Sequence, residues 1–116
     1  MYGLRCEILC EATLRGLKLK CYMKLRKIGN NVLLSICDAE ILGKTLREGK
    51  IVFHVAEQFY RGEEVEVEEA IAMIETSTIV NLVGKNVVEK AVEKGYVHPE
   101  AILKIEGVPH AQIVKL

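Results

Sequence analysis

Met23-Lys24-Leu25-Arg26-Lys27-Ile28-Gly29-Asn30-Asn31-Val32-Leu33-Leu34-Ser35-Ile36-Cys37-Asp38 is the stretch that decides the fold. Met23–Ile28 reads as a short strand. Gly29-Asn30-Asn31 follows as a hairpin loop, because Gly and Asn accept positive φ at little steric cost. Val32–Cys37 is then a continuous apolar strand, expected to be buried on both faces. Asp38 is placed to cap a helix from about Ala39 to Arg47 by accepting from its exposed amides, with Gly49 as the stop.

Further along, Lys50–Val55 reads as a third strand, apolar on both faces, and Ala56–Gly62 as a turn region holding Phe59 and Tyr60. Glu63–Glu69 is acidic and leads into a helix through Ala70, Ile71, Met73 and Ile74, where glutamates suit the positive end of the helix dipole. Thr78 caps a short helix, Ile79–Val83, that Gly84 breaks. Asn86 with Glu89 resembles a capping box and opens a helix to Lys94, stopped by Gly95. His98-Pro99 makes a turn. Ile102–Glu106 and Ala111–Leu116 close the chain as a hairpin around the corner Gly107-Val108-Pro109-His110-Ala111-Gln112. This order predicts an α+β fold: one small domain with a mixed or antiparallel sheet, several short helices and a C-terminal β-hairpin. The chain's last residue falls inside a predicted strand, so an exposed sheet edge is expected there, open to a second copy or a partner.

In the other direction, residues 1–21 look different. Leu4, Ile8 and Leu14 among charged residues suggest a weak amphipathic helix, with Gly3 and Gly16 against it. Glu7 and Glu11 interrupt the apolar core a signal peptide would need. No apolar run approaches the roughly 20 residues of a membrane span. A cytoplasmic location and no membrane partner are therefore expected. Within 116 residues there is room for one domain with a self-sufficient core. The four cysteines, Cys6, Cys10, Cys21 and Cys37, contain no C-x-x-C pair, so free thiols are expected rather than a metal site.

Net charge is zero, yet residues 1–53 carry ten Lys/Arg against five Asp/Glu, while residues 54–76 carry one Arg against seven Glu. That layout permits an anionic partner. Gly43-Lys44-Thr45 invites a phosphate-loop reading, but Asp38 occupies the position of the motif's first glycine and would repel phosphate. Lys44 and Arg47, three apart, share a side of the predicted helix and form with Asp38 a polar face. Asn81 is a lone amide among apolar neighbours, either a structural hydrogen bonder or a recognition group. His98 and His110 flank prolines on turns, where sites tend to lie. No close pair of ligand residues exists, so no metal and no cofactor are expected.

Taken together, Cys37-Asp38, Leu42-Gly43-Lys44-Thr45, Arg47-Glu48-Gly49-Lys50, Phe59-Tyr60-x-Gly62, Asn81-Leu82-Val83-Gly84, Val97-His98-Pro99 and Gly107 to Gln112 resemble a small archaeal family known as domain of unknown function 424. The resemblance runs from Met23 to Leu116. It implies an archaeal, cytoplasmic, single-domain protein and brings no catalytic residues. It also implies a link to translation genes. Family members begin near Met23, so residues 1–22 read as an extension or a mis-assigned start, with 23–116 as the domain.

Three functions follow as expectations. The first is a non-enzymatic binding module linked to translation or RNA processing. Its partners would be RNA or ribosome-associated proteins, met by Lys44, Arg47, Asn81, His98 and His110, with Asp38 beside them. The second is a small enzyme using Asp38, His98 and His110 for acid–base chemistry, which requires all three in one pocket. The third is a protein-interaction domain that uses the acidic 63–69 segment.

Overall fold

The computed structural model describes residues 19–115. Eight strands and three short helices follow in the order β1 (Lys20–Ile28), β2 (Asn31–Asp38), β3 (Thr45–Glu48), β4 (Ile51–His54), α1 (Glu57–Tyr60), β5 (Glu63–Glu66), α2 (Val67–Ala72), β6 (Ile79–Val83), α3 (Lys85–Glu93), β7 (Leu103–Ile105) and β8 (Val108–Val114). Single 3-10 turns lie at Ala39–Ile41, Met73–Thr76 and Pro99–Ala101. Six strands form one sheet in the order β5-β1-β2-β6-β8-β7, and β3 and β4 form a separate two-stranded ribbon. β2 and β6 run parallel, and the other described pairs are antiparallel. The fold is α+β with a mixed sheet.

The opening hairpin forms as its sequence dictates. Gly29 takes φ 61° and Ile28 pairs with Asn31. Side chains alternate across the sheet, and both faces bury apolar groups. On the first face Leu34, Ile36, Val80, Leu82 and Ala111 meet Ala70, Ile71 and Ile74 of the α2 region and Val87, Val88 and Ala91 of α3. On the second, Cys37 and Val83 lie under Leu46 of the ribbon, Val55 just after it and Tyr60 of α1. That double burial is why Leu34, Ile36, Cys37, Val80, Leu82 and Val83 are all fully enclosed.

Several local expectations are corrected. The helix predicted from Ala39 to Arg47 is absent. Gly43 takes φ 87° and Gly49 φ 60°, both outside helical space, and the chain between them becomes a strand. The ribbon pairs Leu46 with Phe53 and aims both at the second core, a burial that a helix of mostly polar residues would not supply. β4 carries apolar residues on both sides but is not buried on both, since Ile51 and Val52 are exposed. Ile79–Val83 is a strand, not a helix: Ile79, Val80 and Val83 are β-branched, and β2 offers a partner to pair with. α3 begins at Lys85 with Gly84 as its cap residue, so Asn86 sits inside the first turn. At the other end Gly95 N–H donates to Val92 O and Tyr96 N–H to Ala91 O, a Schellman closure.

β1 starts at Lys20, so Cys21 and Tyr22, assigned by sequence to the extension, belong to the sheet, and Cys21 is fully buried. The weak helix expected within residues 1–21, through Leu4, Ile8 and Leu14, lies outside the described residues up to residue 18, and Lys20 and Cys21 are strand. The closing hairpin turns at Glu106-Gly107, with φ 56° and 80°, so Val108–His110 are strand rather than corner. β8 lies between β6 and β7, so among the described strands the sheet edges are β5 and β7, not the last one. No described helix is long and apolar enough to cross a membrane.

Candidate nucleic-acid interface

Asp38 is the end residue of β2 and pairs with Cys21, which puts its side chain on the helical face. There it caps α3 from outside the helix. Oδ2 accepts from Asn86 N–H at 2.9 Å and Oδ1 from Val87 N–H at 3.0 Å. The cap that sequence placed on its own neighbours thus serves a helix 48 residues on. Gly84 makes room for it: a Cβ there would come within 2.7 Å of Asp38 Oδ1. Burial pushes the Asp38 carboxyl above the usual carboxylate range, and the two helix amides pull it part of the way back. At 2% exposure, with each oxygen bonded to an amide, it is a structural group.

Lys44 and Arg47 do not share a helix face. Lys44 lies in the turn before β3, where Lys44 N–H donates to Ile41 O and Lys44 O accepts from Val55 N–H. No helix follows Gly43-Lys44-Thr45, so the phosphate-loop resemblance has no structural basis. Along β3, Leu46 points inward, leaving Thr45 and Arg47 on the outer side opposite His54 and Val52. Thr45 Oγ1 lies 3.0 Å from His54 Nδ1. Lys44, Arg47 and Lys50 are exposed, and among the described residues no carboxylate lies within ion-pair distance of them. The nearby Glu48 and Glu106 are turned onto backbone: Glu106 N–H donates to Glu48 Oε1 and Arg47 N–H to Glu106 Oε1. These two bonds tie the ribbon to the β7–β8 turn.

Asn81 and His110 do come to one neighbourhood. Across the sheet Ser35 pairs with Asn81 and Asn81 with Gln112, while one step along Val83 pairs with His110. All lie on the second face, since Cys37 and Val83, two residues along from Ser35 and Asn81, belong to that core. The His110 ring packs against Phe53 of the ribbon, centroids 5.0 Å apart, and burial lowers its pKa. α1 lies across β1 and β2 and is held there by Lys24 and Arg26, which both donate to Gln58 O at 2.7 Å. Arg26 also stacks 5.7 Å from the Phe59 ring centre. Beyond α1, Asn81 is half-buried and Gln112 exposed, so this part of the face is open.

His98 is elsewhere. It follows α3, is exposed, and its Nδ1 accepts from Glu100 N–H at 3.1 Å, capping the turn at Pro99–Ala101. Asp38 and His110 lie on opposite faces of the sheet, so Asp38, His98 and His110 form no acid–base cluster. A cleft of about 430 Å³ between α3 and the β7–β8 hairpin, floored by Val88, Val92 and Ile102, contains none of the three. Among the described residues no group of three or more His, Cys, Asp or Glu is placed to hold a metal ion.

Ser35 and Gln112 were not singled out by sequence. A serine inside the run Val32–Cys37 was the available signal, because a hydroxyl in a strand buried on both faces needs a reason.

The structure defines a class: a small α+β domain with α2 and α3 on one face of a mixed sheet, and α1 and a two-stranded ribbon laid over part of the other. The chain belongs to the family described as "Protein of unknown function (DUF424)", whose model matches residues 26–116. It is also similar to a solved structure, an uncharacterized conserved protein from Methanopyrus kandleri. The identity is 26% and the TM-score 0.69, covering 84% of this chain and 94% of that one. No curated protein matches the chain.

Proposed function

We propose that this protein is a non-enzymatic RNA-binding module whose phosphate contacts are the exposed cations along the β3–β4 ribbon. The observation that carries the reading is the set of exposed cations Lys44, Arg47 and Lys50, without ion-pair partners among the described residues, within seven positions of one ribbon. Cations held this way attract a polyanion and release its counterions, which is the main source of sequence-independent affinity. The charge layout supports the same direction. β3 lies beside β7, while the acidic strand β5 is at the other edge of the described sheet, so the ribbon's cations sit away from that acidic strand. A narrower placement in translation or RNA processing draws support only from the family resemblance.

Binding of a random-sequence RNA pool, followed against salt, tests the reading. For single strands each phosphate contact contributes about 0.7 to the slope of log affinity against log salt. Lys44→Gln with Arg47→Gln should weaken binding and flatten that slope by roughly 1.4. Unchanged affinity and slope in the double variant would overturn the assignment.

A further inference from the structure

We propose that the edge strand β7 and the cleft beside it dock an extended acidic peptide segment of a partner protein, which joins the sheet as a strand and seats an apolar side chain in the cleft. This surface does not use the ribbon's cations, so the proposal stands apart from the RNA reading. β7 is an edge of the described sheet. Its middle residue, Lys104, lies opposite Pro109. Pro109 has no N–H, and its carbonyl accepts from the N–H of Gly84, just after β6. Lys104 and Pro109 are therefore a non-hydrogen-bonded pair, and the N–H and C=O of Lys104 point away from β8 to the sheet edge. Among the described residues no group bonds to either one. The ribbon meets this hairpin at its turn, where Glu48 takes the Glu106 N–H, while Leu103 and Lys104 are exposed.

The cleft opens along the same edge. Ile102 and Lys104 line it from the strand side, and Lys85, Glu89 and Val92, on one face of α3, line it from the helix side. Its volume, about 430 Å³, is within the range of ligand clefts. Lys104 shares the helical face of the sheet with its partner Pro109 and with Ala111. A strand added to β7 therefore turns every second side chain towards the cleft. In this mode of recognition the backbone bonds give affinity, and a pocket for alternate side chains gives specificity. Charge selects the partner. Lys85 and Lys104 have no ion-pair partner among the described residues, and Glu89 is the single carboxylate among the cleft's lining residues. A second copy added through the open Lys104 amide would set lysine directly against lysine, which is destabilising, whereas an acidic strand sets a carboxylate there.

Fluorescence anisotropy with the full chain tests the proposal, using a labelled peptide with a central leucine, a threonine on either side of it and a glutamate beyond each. One control replaces the glutamates by lysines. The other is N-methylated at the central leucine, which removes the donor that the Lys104 carbonyl would accept from. The acidic peptide should bind, and each control should bind about tenfold more weakly. Lys85→Glu with Lys104→Glu, its folding checked by circular dichroism, should cost at least as much, while Lys44→Gln with Arg47→Gln should leave peptide affinity unchanged. Native hydrogen exchange needs no variant: the Lys104 amide should gain protection in the peptide complex. Failure of the acidic peptide to bind overturns the proposal, as does either control binding equally well or a Lys104 amide that stays unprotected. Displacement of the peptide by oligo(U) would assign the cleft to nucleic acid and overturn it too. The ribbon's RNA reading is judged separately, by the salt slope of its own double variant.

Discussion

Asp38→Asn exchanges one buried oxygen for an amide nitrogen at a position 2% exposed. In the native chain both oxygens accept from α3 amides, at 2.9 and 3.0 Å. The carboxamide can accept from only one of them, so the other N–H faces an NH2 group and loses its partner. Hydrogen bonds to charged groups contribute about 1.5–3 kcal/mol, and an orphaned buried donor costs about as much as the bond it lost. Removing a buried ionisable group offsets part of this, leaving an expected loss of about 2 kcal/mol at neutral pH. For a domain of this size that lowers Tm by on the order of 10 °C. The pH dependence gives a second reading. Burial raises the Asp38 carboxyl above its ordinary value. The folded chain therefore holds the proton more tightly than the unfolded one. The stability this contributes is full below the unfolded carboxylate value of about 4 and declines as pH rises through the folded value. Chemical denaturation from mildly acidic to neutral pH should thus show the gap between wild type and Asp38→Asn narrowing. A change smaller than about 0.5 kcal/mol at neutral pH, the range of an ordinary surface substitution, would refute the capping argument. A gap that widens with pH would refute the electrostatic part alone.

Two other expectations concern groups beneath the ribbon and in the sheet. Burial, with a smaller contribution from Asp38, pushes the thiols of Cys21 and Cys37 up to about 12, so both should resist iodoacetamide at mildly alkaline pH and react only once denaturant is added. Peptide mass mapping that finds either one alkylated in the native protein would contradict their placement. Phe53→Ala uncovers His110, whose pKa is lowered by burial, so its NMR titration midpoint should rise towards the ordinary histidine value. In the wild type the same shift makes stability fall as pH drops through the histidine range, and the variant should lose that dependence. An unmoved midpoint would show that the ribbon does not cover this ring.

The sheet's frame was legible because it is written locally. Gly29-Asn30-Asn31 specifies its own turn, the run Val32–Cys37 demands burial on two faces, and Gly95 closes α3 whatever the rest of the chain does. Several of the errors arise because the deciding partner lies outside the local segment. Asp38 looks like a cap for Ala39, since nothing nearby shows that α3 will arrive with two open amides and a glycine at Gly84 to admit it. Ala39–Arg47 has helical spacing, but Leu46 gains more by crossing to Phe53 over the second core. Ile79–Val83 is too short to choose a state alone and becomes a strand because β2 has a free side. The candidate residues divided along the same line. Asn81 and His110 are neighbours only through pairings with Gln112 and Val83 in register, which spacing along the chain does not reveal. Lys44 and Arg47 remained a surface pair after their helix disappeared, because both helix and ribbon leave those side chains in solvent.

The position of β8 has a consequence for how the molecule is made. Ribosomes deliver residues in order, yet β8, the last described strand, is an interior one, flanked by β6 and β7. Until Val108–Val114 has emerged, β6 has one open side, and Val80 and Leu82 lack the neighbours Ile113 and Ala111 that pair with them. β6 itself waits for β2 across more than forty intervening residues, a long-range parallel pairing of the kind that slows folding. A nascent chain halted before Val108 therefore leaves β6 with one side unpaired. Such an edge is an aggregation hazard, so rapid completion of synthesis protects this fold more than the stability of any early segment does.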